Sequence, residues 1–280
     1  MPKLKVATCQ FAISGNVRRN AAQIKKQIDQ AKKQRAQVVH FPEAALSGYG
    51  DVDVKTWEGY DWDVLREETE AICTLAKQKR MWVILGSAHP LTGKHKPHNC
   101  LYAIAPDGEI ADRYDKCFCT GGDLKCYSPG DHLVVLNIHG VRCGLLICYD
   151  VRFPELYRAY KKQGVECVFD SFYNARSTGP RIHTVIMRPT LQAHAATNYF
   201  WISAPNASGY YQTWESVFIQ PDGVIAQSLK RNQAGVMVNT IDTDAKLYDA
   251  SRPFRDRAMK GILHSGTLVK DPRSQNRKAL

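Results

Sequence analysis

Along the 280-residue chain the apolar positions switch repeatedly between a spacing of two and a spacing of 3.6. Residues 4–11, "LKVATCQF", predict a strand. Residues 16–36, "NVRRNAAQIKKQIDQAKKQRA", predict a helix that turns Ile24, Ile28 and Ala31 to one buried face. "VVHFPE" (38–43) reads as a second strand ending in a Pro turn. Residues 62–80 predict a second helix with Leu65, Ile72, Leu75 and Ala76 inward. Strands at 81–89, 98–108 and 109–116 follow, the last two joined by a Pro-Asp-Gly hairpin signal.

The second half repeats this order. Strands at 132–140 and 141–148 meet at a His-Gly turn and lead into a helix at 154–163. A strand at 165–172, a helix around 181–197 and a strand at 199–207 come next. "WESVFIQ" and "VIAQSLK" flank another Pro-Asp-Gly turn, and "GVMVNTID" closes the set. Alternating strands and helices with interspersed hairpins predict an α/β architecture of mixed sheets, packed sheet on sheet with helices outside. No stretch has linker composition, so the expectation is one domain over 1–280, with a basic tail from about residue 265.

Composition narrows the class of protein. Hydrophobic residues make up 44% and charged residues 23%, the balance of a globular chain. The formal charge of +11 sits in short patches at 25–35, 158–164 and 270–280. None of these has a nucleic-acid-binding spacing, so the charge reads as a solvated surface that can steer anionic substrates. The opening "MPKLKVATCQF" lacks the apolar core of a signal peptide, and no apolar run is long enough to span a membrane. Nine irregularly spaced cysteines suit a reducing cytoplasm better than a disulfide scaffold.

Candidate chemistry gathers at three strand ends. Cys148 ends a buried-strand pattern just ahead of Pro154, which suits a first helical turn. A helix N-terminus there would favour thiolate, although a plain core cysteine gives the same local pattern. Glu43 follows a strand in "HFPEAALSGYG", and Lys116 ends another in "RYDKCF". Either alone reads as a solvated charge. Together they supply a base, a cation and a sulfur nucleophile.

These segments resemble the nitrilase superfamily of carbon–nitrogen hydrolases. The resemblance rests on Glu43 in "FPE", Lys116 after its strand, and Cys148 in "GLLICYDVRFPE". It extends to "KVATCQ", "SPGD" at 128–131, "NARSTGP" at 174–180 and the "PDG" hairpins, from residue 4 to about 255. It implies a four-layer α-β-β-α sandwich that pairs across helices into dimers or larger homo-oligomers. It also implies a second carboxylate ahead of "SPG". That position falls on Asp123, one methylene shorter than the usual Glu, so its reach toward the lysine is in question and an exposed loop acid is the competing reading. His194 and Thr197 stand where related sequences often carry Arg and Glu.

The chemistry follows from the residue types. Glu43 takes the proton of Cys148 as the sulfur attacks an amide carbonyl, then passes it to the departing nitrogen. Lys116 and the Tyr149 backbone N–H hold the oxyanion. No histidine, metal or other cofactor is needed. Arg152, four residues past the nucleophile, is a candidate carboxylate clamp. The competing reading is a buried scaffold pair with Asp150 or Glu155. Tyr49, Tyr149, Asn174 and Arg176 are the remaining pocket candidates. The expected activity is hydrolysis of a small, carboxylate-bearing amide or N-carbamoyl compound with release of ammonia. Nitrile hydrolysis and a catalytically inactive binding protein are the alternatives. Cys117, Cys119, Cys126 and His132 could hold zinc, but C-x-C-x6-C is not a usual ligand spacing. The expected partner is a small-molecule substrate, with neither nucleic acid nor membrane.

Overall fold

The computed structural model describes residues 3–174, 179, 181–209 and 212–278. Its first strand, β1 (Lys3–Gln10), shows why two layers form on one sheet. Leu4 and Val6 join a core shared with the second sheet, whereas Ala7 and Cys9 join a core shared with helices. Those helices are α1 (Val17–Lys33) and α2 (Trp62–Lys79). Ala21, Ile24, Ile28 and Ala31 of α1 and Leu65, Ile72 and Ala76 of α2 pack in that outer core, as the 3.6 spacing predicts.

Between and after these helices come β2 (Val38–His40), β3 (Trp82–His89), β4 (His98–Ile104) and β5 (Ile110–Asp115). The single turn α3 (Asp123–Cys126) leads to β6 (Val135–Ile138) and β7 (Val141–Ile147). Then come α4 (Pro154–Lys162), β8 (Cys167–Ser171), α5 (Ile182–Asn198), β9 (Trp201–Ala204), β10 (Val217–Ile219), β11 (Ile225–Ser228) and β12 (Gly235–Asp242). Short helices α6 (Arg255–Met259) and α7 (Pro272–Gln275) follow.

One six-stranded sheet runs β12-β1-β2-β3-β4-β5 and the other β11-β10-β9-β8-β7-β6. In each, three central strands are parallel (β1-β2-β3 and β7-β8-β9) and the outer strands are antiparallel. The mixed-sheet α-β-β-α sandwich is therefore as expected. Polar groups also cross between the sheets. Thr8 Oγ1 meets Ser203 Oγ at 2.7 Å, and the two ring nitrogens of His40 reach Ser203 (2.9 Å) and Ser171 (2.8 Å). Burial holds His40 well below its usual pKa, so it is neutral and serves as a bridge.

Several strands end earlier than the apolar pattern suggests. The second stops at His40 because the chain turns through Pro42, which has no N–H for a ladder. The strand expected over 199–207 closes at Ala204, ahead of Pro205. Residues 260–278 are exposed throughout. Among the described residues no helix is long and apolar enough to cross a membrane.

Candidate active site

Glu43, Lys116 and Cys148 each lie just beyond the carboxyl end of a strand, where open α/β sheets leave room for ligands. Glu43 follows β2 in a turn that presses on β3. A Cβ on Gly86 would stand 2.0 Å from the Pro42 carbonyl oxygen, so only glycine admits this approach. Ala44 completes the turn at φ +53°.

The Glu43 carboxyl is fully buried. Oε1 accepts from Lys116 Nζ and from Asn99 Nδ2, each at 2.8 Å, and Oε2 accepts from the Tyr173 N–H at 3.0 Å. Burial raises its pKa and the Asp123 charge adds to this, while Lys116 and Asn99 offset only part of the rise. Such a group exchanges protons more readily near neutrality than an exposed glutamate does.

Lys116 emerges from β5 and is also fully buried. Burial alone would strip its charge, but Glu43 and Asp123, both in direct contact, hold its pKa well above the usual lysine value. It is an ammonium. The segment "SPG" packs on this strand end. Gly130 donates its N–H to the Lys116 carbonyl at 2.9 Å, and a Cβ on Gly130 would stand 2.4 Å from the Asp115 carbonyl.

Asp123 reaches Lys116 directly, with Oδ2 at 2.8 Å from Nζ. Its shorter side chain suffices because it begins α3, where the Thr120 N–H fixes Oδ2 at 2.9 Å and the Tyr49 hydroxyl donates to Oδ1. It is 4% exposed, not an open loop acid. Burial opposes its charge, yet Lys116 and the bonds from Tyr49 and Thr120 keep its pKa below the usual range.

Cys148 stands at the end of β7 with φ +49°, a left-handed conformation that cysteine rarely adopts. It opens a tight 3-10 turn, Cys148–Arg152, ahead of α4. The helix N-terminus does not make this sulfur a resting thiolate. Burial, then the Glu43 charge, push the thiol pKa well above its ordinary value, outweighing Lys116. The sulfur is thus a neutral thiol beside a buried base.

The other predicted residues divide. Tyr49 commits its hydroxyl to Asp123 and stacks on Tyr173 with ring centroids 5.1 Å apart. Tyr149 is partly exposed and meets Phe153 edge-on, and Phe153 stacks on Phe118 at 3.5 Å. Arg152 donates to His183 Nδ1 at 3.0 Å. Asp150, its suggested scaffold partner, instead accepts from Tyr114, Phe118 and Ile147. The Asn174 side-chain oxygen accepts from Asn206 Nδ2 (3.2 Å) and Thr213 Oγ1 (3.0 Å). Arg176 lies outside the described residues.

His194 is buried, stacks on Tyr157 and donates to the Val151 carbonyl at 2.9 Å, bracing the turn behind the nucleophile. Thr197 is exposed on α5. The Cys117 thiol points to the His132 carbonyl and the Cys119 thiol to the Lys116 carbonyl. Among the described residues no group of three or more His, Cys, Asp or Glu is placed to hold a metal ion. Asn99 and the Tyr173 N–H were not singled out from the sequence. An asparagine at a buried position of an otherwise apolar strand was the available sign of the first. A backbone donor has no sequence sign at all.

Comparison with known proteins places this geometry in context. A family model described as carbon-nitrogen hydrolase matches residues 5–248. Omega-amidase NIT2 of Xenopus tropicalis is 29% identical over 244 residues, covering 81% of this chain and 85% of that protein. The deaminated glutathione amidase of Yersinia enterocolitica is 26% identical over 264 residues, covering 84% and 89%. Among solved structures, an amidase from Nesterenkonia sp. superposes with a TM-score of 0.78 at 21% identity, covering 93% of this chain and 96% of that one.

Proposed function

This chain belongs to the carbon–nitrogen hydrolase family, and on that premise we propose that it hydrolyses the C–N bond of a small amide through a thioester on Cys148. The observation that carries this is the buried ion cluster. Lys116 Nζ lies 2.8 Å from both Glu43 and Asp123, and the Cys148 thiol responds to all three charges.

As the sulfur attacks the carbonyl carbon, Glu43 takes the thiol proton. Lys116 and the Tyr149 N–H receive the developing oxyanion. Collapse breaks the C–N bond as Glu43 returns its proton to the nitrogen, and ammonia leaves. Water then attacks the thioester with Glu43 again as base, freeing the acid and restoring the thiol. Asp123 keeps Lys116 charged and aimed throughout.

Arg152 supports a substrate with a carboxylate, since its guanidinium is only partly buried beside the nucleophile's turn. Relatives named omega-amidases put ω-amides of dicarboxylic acids first among candidates, with N-carbamoyl amino acids second. The purified protein is expected to release ammonia from members of such a panel. Cys148→Ala is expected to abolish this while leaving the fold intact, and undiminished turnover in that variant overturns the proposal. Arg152→Leu is expected to raise KM about tenfold or more for acidic amides and little for neutral ones. Equal effects on both would mark Arg152 as scaffold.

The chain is read as one hydrolase unit that forms a homodimer or larger homo-oligomer. Exposed Ile182 and Val185 on α5 and Leu263, Leu268 and Val269 in the tail support a further apolar contact. Nine unpaired cysteines support a reducing, cytoplasmic setting.

A further inference from the structure

The turn that carries the nucleophile holds a buried carboxyl group that the reaction does not use. Asp150 Oδ1 accepts from the Phe118 N–H at 2.8 Å. Its Oδ2 accepts from the Tyr114 hydroxyl at 2.7 Å and from the Ile147 N–H at 3.0 Å. Ile147 immediately precedes Cys148, and Phe118 is two residues past Lys116. One side chain therefore ties the segment bearing the sulfur to the segment bearing the ammonium. The Ile147 bond also closes the turn around the left-handed Cys148.

We propose that Asp150 is a positioning residue that fastens the Cys148 turn to the loop after Lys116, and so sets the alignment of sulfur and cation for attack. This rests on the proposed role of Cys148 as nucleophile. Two of the three donors are backbone N–H groups, which cannot accept a proton in return. An ionised carboxylate accommodates all three as they stand, a neutral acid does so only if the Tyr114 hydroxyl turns to accept, and an amide turns a donor toward at least one backbone N–H. The bridge therefore holds best when Asp150 is charged.

Burial places the Asp150 pKa at about 6, against the hydrogen bonds that favour its charge. The ionisable groups acting on it come from every packed element. Tyr114 lies on β5, and Lys116, Cys117 and Cys119 lie just after it; Tyr157 and Tyr160 lie on α4, and Asp170 on β8. Burial pushes the Asp170 carboxyl far up, and its Oδ2 accepts from the Tyr157 hydroxyl.

The test combines alkylation of Cys148 by iodoacetamide, followed by peptide mass across pH 5 to 8, with steady-state hydrolysis of an amide substrate. Asp150→Asn is expected to slow alkylation and lower kcat by about tenfold or more while KM stays within about threefold. Asp150→Glu, which keeps the charge, is expected to recover part of the loss. Tyr114→Phe leaves Asp150 in place but removes a bond to its ionised form, so the acid limb of alkylation is expected to move up by about half a pH unit.

An unmoved limb in Tyr114→Phe overturns the proposal, and so does wild-type alkylation in Asp150→Asn. If Asp150→Asn does not fold, the other two variants decide. Because alkylation is read without turnover, a wild-type protein that hydrolyses no amide refutes the proposed function and leaves this test intact.

Discussion

Three buried carboxyls in and beside the site bear charge on different terms, and their neighbours explain why. Asp123 has an ammonium and several donors, so ionisation is favoured in the fold. Glu43 shares the same ammonium but is more deeply desolvated, so its proton is held more tightly than in the unfolded chain. Asp150 has donors but no direct cation, and its pKa rises from 3.8 to about 6. A raised carboxyl pKa means that the folded state binds the proton more tightly. Stability from that group is present at low pH and is lost as pH rises through about 6. Relative to Asp150→Asn, wild type is expected to gain about 1 kcal/mol between pH 7.5 and pH 5, read from denaturant unfolding at both pH values. Asp123 has the opposite sign: its contribution is present at neutrality and fades in acid. Tyr49→Phe withdraws one donor from Asp123 and is expected to lower kcat by a few-fold, with KM nearly unchanged, in steady-state assays.

Elements follow the apolar spacing where packing is simple. The helix expected over 16–36 forms as α1, and its start is fixed by Asn16, whose side chain accepts from the Arg19 N–H at 2.9 Å. Asn16→Ala is expected to cost about 1 kcal/mol, seen as a drop of about 2 °C in Tm, with kcat unchanged because the bond lost is local to the start of α1. Strand ends were less legible than strand centres. Alternation in "VVHFPE" does not disclose that the ladder stops at His40, because the stop depends on Pro42 lacking a donor and on Gly86 admitting the turn. The same limit applies to Cys148. A helix at Pro154 was readable, but the intervening 3-10 turn and the left-handed cysteine were not.

Across the whole molecule, sheet-on-sheet packing brings residues of distant sequence into one buried volume. Glu43, Lys116 and Cys148 end strands of two different sheets. The apolar side chains left outside this core include Val185 at 69% and Leu263 at 85% exposure. In a homo-oligomer through α5 and the tail, Val185→Arg is expected to shift the assembly toward monomer in sedimentation. An unchanged sedimentation coefficient would place the interface elsewhere.

Local residue pattern by itself determined the alternation of strands and helices, the sandwich class and the three strand-end residues, because periodicity and a long Cys-centred motif are short-range properties. Tertiary structure alone decided which of these groups are charged. Desolvation and Coulomb interaction depend on what lies within a few ångströms in space, not along the chain. That is why Asp123 proves to be within reach of Lys116, why Cys148 rests as a thiol, and why Asp150, one acid among many in the sequence, joins the backbone ahead of the nucleophile to the loop after Lys116.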